Sequence, residues 1–312
     1  MTNQGDSDNL GQRTISRRAA LRLGISASVI SVVGTTSVGG QDIGTQRWAF
    51  ETDDTISSAP TVADGTVYTG SYDGHLYAVN ADTGEAQWRF NAGGSVASSP
   101  TVAEGQVFVG SQNGDLYAID TETGNPQWEF ETADWIQSSP TVVGATVYVG
   151  SWDDNLYAVT TNSGDKRWEF NTGGDVTSPA VADDTVYIGS ADSTLYAVAA
   201  ETGTQRWTFE AGDAIESSPA VADDTVFVGT SGNSLYAVDT ETGGQRWRFE
   251  ADARLLSSPT VVDETVLIGS DNGTLDAIDT ETGVSQWTFQ TGARIRTSPA
   301  VADDVVFVGS QD

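Results

Sequence analysis

The pair Trp-x-Phe occurs seven times in this chain, at Trp48, Trp88, Trp128, Trp168, Trp207, Trp247 and Trp287, always 39 or 40 residues apart. An irregular globular domain has no reason to keep such a period, so the chain is a tandem array of one small unit. Whatever distinguishes this protein from a bare scaffold lies where the copies differ.

Three further marks travel with each tryptophan. Ser-Pro or Ala-Pro recurs at Pro60, Pro100, Pro140, Pro179, Pro219, Pro259 and Pro299, and a run such as Thr-Val-Tyr-Val-Gly follows it. Then comes Leu-Tyr-Ala-Val around Tyr77, Tyr117, Tyr157, Tyr196 and Tyr236, with Asp276 in place of the sixth tyrosine. Each run is short, rich in β-branched and aromatic residues and bounded by Gly, Asp, Asn or Thr-Gly, which reads as a strand. The unit therefore holds four strands: A (Ser-Pro-Thr-Val), B (Thr-Val-Tyr-Val-Gly), C (Leu-Tyr-Ala-Val-Asp) and D (Gln-Trp-Arg-Phe). Ala-Asp-Gly or Ala-Asp-Asp joins A to B, and Glu-Thr-Gly joins C to D, both short connections between antiparallel neighbours. No window keeps a helical period, which excludes helical solenoids. Four-stranded antiparallel units in tandem predict an all-β β-propeller, because a lone blade cannot bury both of its faces.

The blades resemble the pyrroloquinoline-quinone-type (PQQ-like) propeller repeat. Its tryptophan-docking motif is recognisable in Asp120-Thr-Glu-Thr-Gly124 before Trp128, in Asp239 to Gly243 before Trp247 and in Asp279 to Gly283 before Trp287. The resemblance covers residues 46 to 312 and implies the propeller fold. For function it implies less, since that repeat is found in quinoprotein dehydrogenases, in the outer-membrane barrel-assembly lipoprotein and in secreted proteins without known activity. The seven repeat tryptophans are expected to dock blade on blade, with each indole N–H bonded to a neighbouring turn.

The count has one defect: seven D, A and B strands are present but only six C strands, because Gly309-Ser310-Gln311-Asp312 stands where the next Leu-Tyr-Ala-Val is due. The expectation is seven blades with an incomplete closing blade, left with two unpaired edges. A fragment of an eight-bladed ring is the alternative. The propeller is placed at residues 41–312 and a separate segment at 1–40.

That segment differs in kind. Ser16-Arg17-Arg18-Ala19-Ala20-Leu21 leads into an apolar, small-residue stretch from Leu23 to Val33, then Gly, Ser and Thr up to Gly40. It resembles a twin-arginine export signal, with Arg17 and Arg18 as its address. The stretch is too short for a comfortable membrane span, so export to the extracellular space or cell surface is expected, with no stable span after signal removal.

Charge narrows the setting. The chain carries 44 Asp and Glu against 14 Lys and Arg, a formal charge of −30, and its one lysine is Lys166. Such self-repulsion is costly at low ionic strength and is screened within a few ångströms near 1 M salt. The pattern resembles proteins of halophilic archaea. It also makes nucleic acid a poor partner, because phosphate contacts need clustered basic residues.

Catalysis finds little support. With no cysteine, a disulfide, a lipid-anchoring thiol and a Cys-x-x-Cys-His haem site are all impossible. His75 is the single histidine, so a Ser-His-Asp triad or a multi-histidine metal site would have to pass through it. Other copies place Asp115, Asn155, Thr194, Ser234 and Thr274 at that position, a pattern of free exchange at an exposed turn. Acidic turns such as Asp183-Asp184 and Asp223-Asp224 lack the Asp-x-Asp-x-Asp-Gly spacing of a calcium loop. No catalytic residue, metal or cofactor is expected. Under the alternative of a quinone-dependent alcohol or sugar dehydrogenase, the cofactors would be PQQ with calcium.

Strands that alternate in direction put A-to-B and C-to-D turns on one end of the propeller, where the repeated acids make a monotonous anionic face. D-to-A segments and B-to-C loops emerge on the other end, where the copies disagree. There the chain places Tyr72, Trp135, Gln137, Trp152, Arg254, Arg294 and Arg296. Aromatic residues and arginine dominate interface energetics, so this face is the candidate binding surface. The expected activity is that of an exported, salt-adapted binding or assembly scaffold for an extracellular or cell-surface protein, with carbohydrate binding by stacked aromatics as a further alternative.

Overall fold

The computed structural model describes residues 22–23, 29–34, 45–302 and 305–312. Arg17 and Arg18 lie outside the described residues, as do Asp303 and Asp304 of the last A-to-B turn. Every described element is a β-strand. Six four-stranded antiparallel sheets follow one another, each pairing its strands in chain order, so the predicted blade is the observed one. In the first blade these are Thr61–Ala63 (A), Thr66–Gly70 (B), His75–Asn80 (C) and Ala86–Asn91 (D). The sixth ends with Thr274–Asp279 and Ser285–Gln290.

In the first blade strands B and C are buried along nearly their whole length, whereas D alternates between exposed and half-buried residues, as an outer strand does. A strands of consecutive blades approach one another and so form the inner wall. The Ser-Pro mark explains how they are joined. The Ser99 N–H donates to Ser139 Oγ at 3.0 Å, the Ser139 N–H to Ser178 Oγ at 2.8 Å, and Thr101 Oγ1 to the Pro140 carbonyl at 2.6 Å. Proline donates no N–H of its own, which suits a position whose carbonyl serves the neighbouring blade.

Blade-to-blade packing is carried by the repeat tryptophans. Trp88 Nε1 donates to the Thr121 carbonyl at 2.9 Å, Trp128 to Thr161 at 2.8 Å and Trp207 to Thr240 at 2.8 Å. Six of the repeat indoles, all but Trp287, lie against the glycine that closes the next C-to-D turn. At Gly124, with φ of +70°, a Cβ would come within 2.7 Å of the Trp88 ring, so both the turn and the close approach demand glycine. The B-strand aromatic completes the stack, as in Phe108 on Trp128 at 5.8 Å between ring centroids. A bulge beside each tryptophan turns the ring toward its dock: Ala78 faces Trp88, and the register shifts between Ala78 and Val79.

The closing region departs from the expected gap. Val29–Gly34 runs antiparallel to the first D strand, Thr45–Glu51, with Val32 opposite Trp48 and a register shift between Val32 and Val33. This is the relation that C bears to D in the complete blades. An unpaired D strand exposes a row of N–H and C=O groups, and the β-branched run Val-Ile-Ser-Val-Val is well suited to pair with it. Among the described residues the closing blade is still not one continuous sheet, since this strand and the final A and B strands belong to separate sheets, but its D strand does have a partner. Arg22–Leu23 pairs along the other edge of Val29–Gly34. Ala300–Ala302 and Val305–Phe307 form a separate two-stranded sheet packed on the sixth blade.

Candidate functional site

The two ends of the propeller are built by the same hydrogen-bond logic. At the acidic end the C-to-D turn donates to the A-to-B turn of its own blade, as from the Thr121 N–H to the Gly105 carbonyl at 3.0 Å. At the other end the second residue after the glycine that ends each B strand donates its N–H to the carbonyl of the fourth residue after the preceding D strand. Seven such seats are formed: Thr55 with Tyr72, Ser95 with Gln112, Trp135 with Trp152, Asp175 with Ala191, Ala214 with Ser231, Arg254 with Asp271 and Arg294 with Gln311. The bond between Trp152 N and the Trp135 carbonyl is 2.9 Å.

A deeper layer holds these seats rigid. The residue after each first seat residue, Ile136 in this case, is fully buried and packs on the glycine ending the preceding B strand; a Cβ on Gly110 would meet Ile136 Cγ2 at 2.1 Å. Ser138 Oγ donates to the Gly150 carbonyl at 2.6 Å and accepts from the Gly150 N–H at 2.9 Å. The backbone is therefore fixed by packing and bonding common to all blades, and only the seat side chains are free to vary.

The residues predicted for this face fall into three groups. Trp135 and Trp152 stack on each other with centroids 5.1 Å apart and planes tilted by 31°, and Trp135 keeps 41 % of its surface exposed. Gln137, half-buried, follows Trp135 by two residues. Arg254 and Arg296 converge on one carboxylate: Arg254 Nη2 lies 2.9 Å from Asp271 Oδ2, and Arg296 Nε lies 2.9 Å from Asp271 Oδ1. Hydrogen bonds from Arg296 and then Arg254, with their positive charge, outweigh partial burial and hold Asp271 below the usual carboxylate range. Tyr72, exposed, and Arg294, exposed, each occupy seats of their own.

Around the tryptophan pair the balance is opposite. Burial, reinforced by the charges of Asp154 and Asp134, raises Asp175 above its ordinary value. Glu216 acts on both sides, disfavouring ionisation of Asp175 and favouring the charge on Arg296. Sequence reading passed over Asp175 and Asp271 as site residues, although an acid sharing a seat with Arg254 was a usable signal for the ion pair.

One further acid stands apart. Asp276 takes the C-strand position at which other blades carry tyrosine, where Tyr157 donates to Asp153 Oδ2 at 2.8 Å and packs edge-on against Phe130 at 5.2 Å. Asp276 is 5 % exposed, and burial, with a smaller contribution from Asp252, pushes its carboxyl up to about 6.

His75 sits half-buried in its turn, Nδ1 3.2 Å from Asp73 Oδ1. Among the described residues no three His, Asp or Glu side chains converge to hold a metal ion, and Asp271 is already committed to two arginines.

A ring of four-stranded blades, docked by a fourth-strand tryptophan on the glycine turn of the next, defines a PQQ-like β-propeller. The chain belongs to the propeller family described as "Beta-alanine-activating enzyme, beta-propeller", whose model matches residues 103–312. The model for "Outer membrane protein assembly factor BamB" matches residues 33–138. No curated protein sequence matches the chain. Among solved structures it is similar to BamB from Moraxella catarrhalis, with a TM-score of 0.78 and 21 % identity over 94 % of this chain and 90 % of that one. The computationally designed Ika8 protein gives 0.78 at 16 % identity, covering 96 % and 97 %. A europium-containing methanol dehydrogenase gives 0.77 at 13 % identity, covering 89 % and 77 %. At these identities the likeness is one of fold.

Proposed function

We propose that this protein is a binding or assembly scaffold that captures a partner protein on the seat face, centred on Trp135 and Trp152. The observation that carries the reading is the mutually stacked pair of an exposed Trp135 and a half-buried Trp152 at one seat, where no other seat carries an aromatic pair. Large aromatic surface held rigidly at an exposed position is the usual anchor of an interface, and nothing in the blade repeat requires it. The match to an assembly-factor propeller model supports the same use of the fold in a cell envelope. Export by a twin-arginine route rests on Arg17 and Arg18, and adaptation to concentrated salt on the charge of −30.

The test is retention of extracellular or cell-surface proteins by the immobilised chain in molar salt, comparing wild type with the Trp135→Ala, Trp152→Ala double variant. A specific partner should be lost from the variant. Unchanged recovery removes the seat-face assignment. The same pair favours one second reading, stacking on a sugar ring, which predicts quenching of tryptophan fluorescence by soluble glycans that the double variant abolishes.

A further inference from the structure

The seat ring is electrically lopsided. Arg254, Arg294 and Arg296 belong to its sixth and seventh seats, and two of them already neutralise Asp271. Asp134 and Asp154 flank the tryptophan seat in sequence and Asp175 begins the next one. Among the described residues none of these three forms an ion pair with an arginine or lysine. Their neighbour Asp153 is committed internally, accepting from Tyr157 at 2.8 Å and from the Ala133 N–H at 2.9 Å. Asp134 accepts only locally, from the Trp135 backbone N–H at 2.7 Å, which fixes one of its oxygens at the backbone of that seat. The sixth seat thus shows what charge compensation looks like on this framework, and the tryptophan seat has the acids without the cation.

Indole faces carry negative electrostatic potential and attract guanidinium and ammonium groups, guanidinium the more often because it is planar and weakly hydrated. Carboxylates placed around the ring add an attraction of the same sign and supply acceptors for the guanidinium N–H groups. We propose that the Trp135–Trp152 seat receives an arginine side chain from an unstructured segment of the partner, the guanidinium lying on the exposed indole within reach of Asp134, Asp154 and Asp175. This rests on the seat-face reading above and specifies its ligand. The occupant is chosen by charge complementarity: an acidic or neutral apolar segment would leave the three carboxylates of this region uncompensated.

The experiment is isothermal titration calorimetry of the full chain with acetyl-(Gly-Arg)3-Gly-amide and with the same peptide carrying citrulline, which keeps the planar shape and loses the charge. The arginine peptide should bind, and the citrulline peptide should bind at least about fivefold more weakly. Trp135→Ala and, separately, Asp175→Asn should each weaken the arginine peptide severalfold. The Asp183→Asn, Asp184→Asn double variant on the acidic face should not, which separates the seat from general attraction to a polyanion. Thermal melts of each variant confirm folding, and Asp175→Asn provides a readout that leaves the aromatic pair in place. Equal binding of the two peptides, equal loss in the acidic-face variant, or no binding at 0.2 M KCl overturns the proposal. If a native partner still depends on Trp135 and Trp152 while the peptides show no charge preference, the seat-face reading survives and the arginine assignment fails.

Discussion

Two sets of tryptophans, chemically identical, do opposite things in this molecule. Trp48, Trp88, Trp128, Trp168, Trp207 and Trp247 each lie on a glycine turn of the next blade and donate the indole N–H to its backbone carbonyl, at distances of 2.8 to 3.0 Å. Trp135 and Trp152 lie on each other, on a loop seat whose backbone is held by other residues. For the first set the surroundings define the ring's position. For the second, the loop is complete without the rings, which is why Ala191 and Ser231 can occupy the same seats elsewhere. The difference teaches that repetition marks architecture here, and that the seats can depart from it without disturbing the blade.

The comparison breaks most readily at the docked set. Trp207→Ala should cost about 3 kcal/mol or more, since it removes a packed indole and orphans the Thr240 carbonyl. The combined Trp135→Ala, Trp152→Ala variant should cost less than about 1 kcal/mol, as exposed substitutions do. Urea denaturation midpoints measure both, and equal losses would mean that the seat pair is structural. Trp287, repeat member though it is, is 41 % exposed and its neighbour Phe289 is 57 % exposed. Trp287→Ala should accordingly fall nearer the seat pair, at about 1 kcal/mol.

A smaller effect is expected where the repeat loses its tyrosine. Asp276→Tyr should restore the edge-on contact with Phe249 that Phe209 makes with Tyr236 at 5.1 Å, stabilising by about 1 kcal/mol. The sign of the pH effect follows from the raised carboxyl. Folding favours the neutral form, so the contribution is fully present below the ordinary value of 3.8 and is lost as pH rises through about 6. Stability at pH 4 relative to pH 7.5 should therefore be higher for wild type than for Asp276→Asn; parallel profiles for the two proteins would refute this. The smallest effect belongs to the Arg254–Asp271–Arg296 group. Its arginines are 51 % and 39 % exposed, so Asp271→Asn should cost no more than about 1 kcal/mol, diminishing further in molar salt. A larger loss at high salt would show that the group organises the face.

How much of this was legible in the sequence depends on how local the signal is. The four strands of each blade and the tight acidic turns were readable because strand propensity and turn chemistry act over a few residues. The docking glycines came from the resemblance to a known repeat. The face carrying Trp135, Trp152 and Arg254 was also readable, because strand alternation dictates which loops share an end. Side-chain company on that face was not. That Trp135 touches Trp152 while Arg254 and Arg296 both reach Asp271 depends on which loop residues the ring brings side by side, across 17 and 25 residues of sequence. The pairing of Val29–Gly34 with the first D strand was not legible for a related reason: the partner lies outside the repeat and is met only when the chain folds back on D.

The sequence by itself determined the repeat, the blade and the excess of acid, since each is a sum over short stretches that behave alike wherever they stand. Only the tertiary structure decided which acids are compensated, as Asp271 is, and which stand without an arginine or lysine partner among the described residues. Electrostatic and aromatic contacts fall off over a few ångströms, and those distances are set when the blades close on one another.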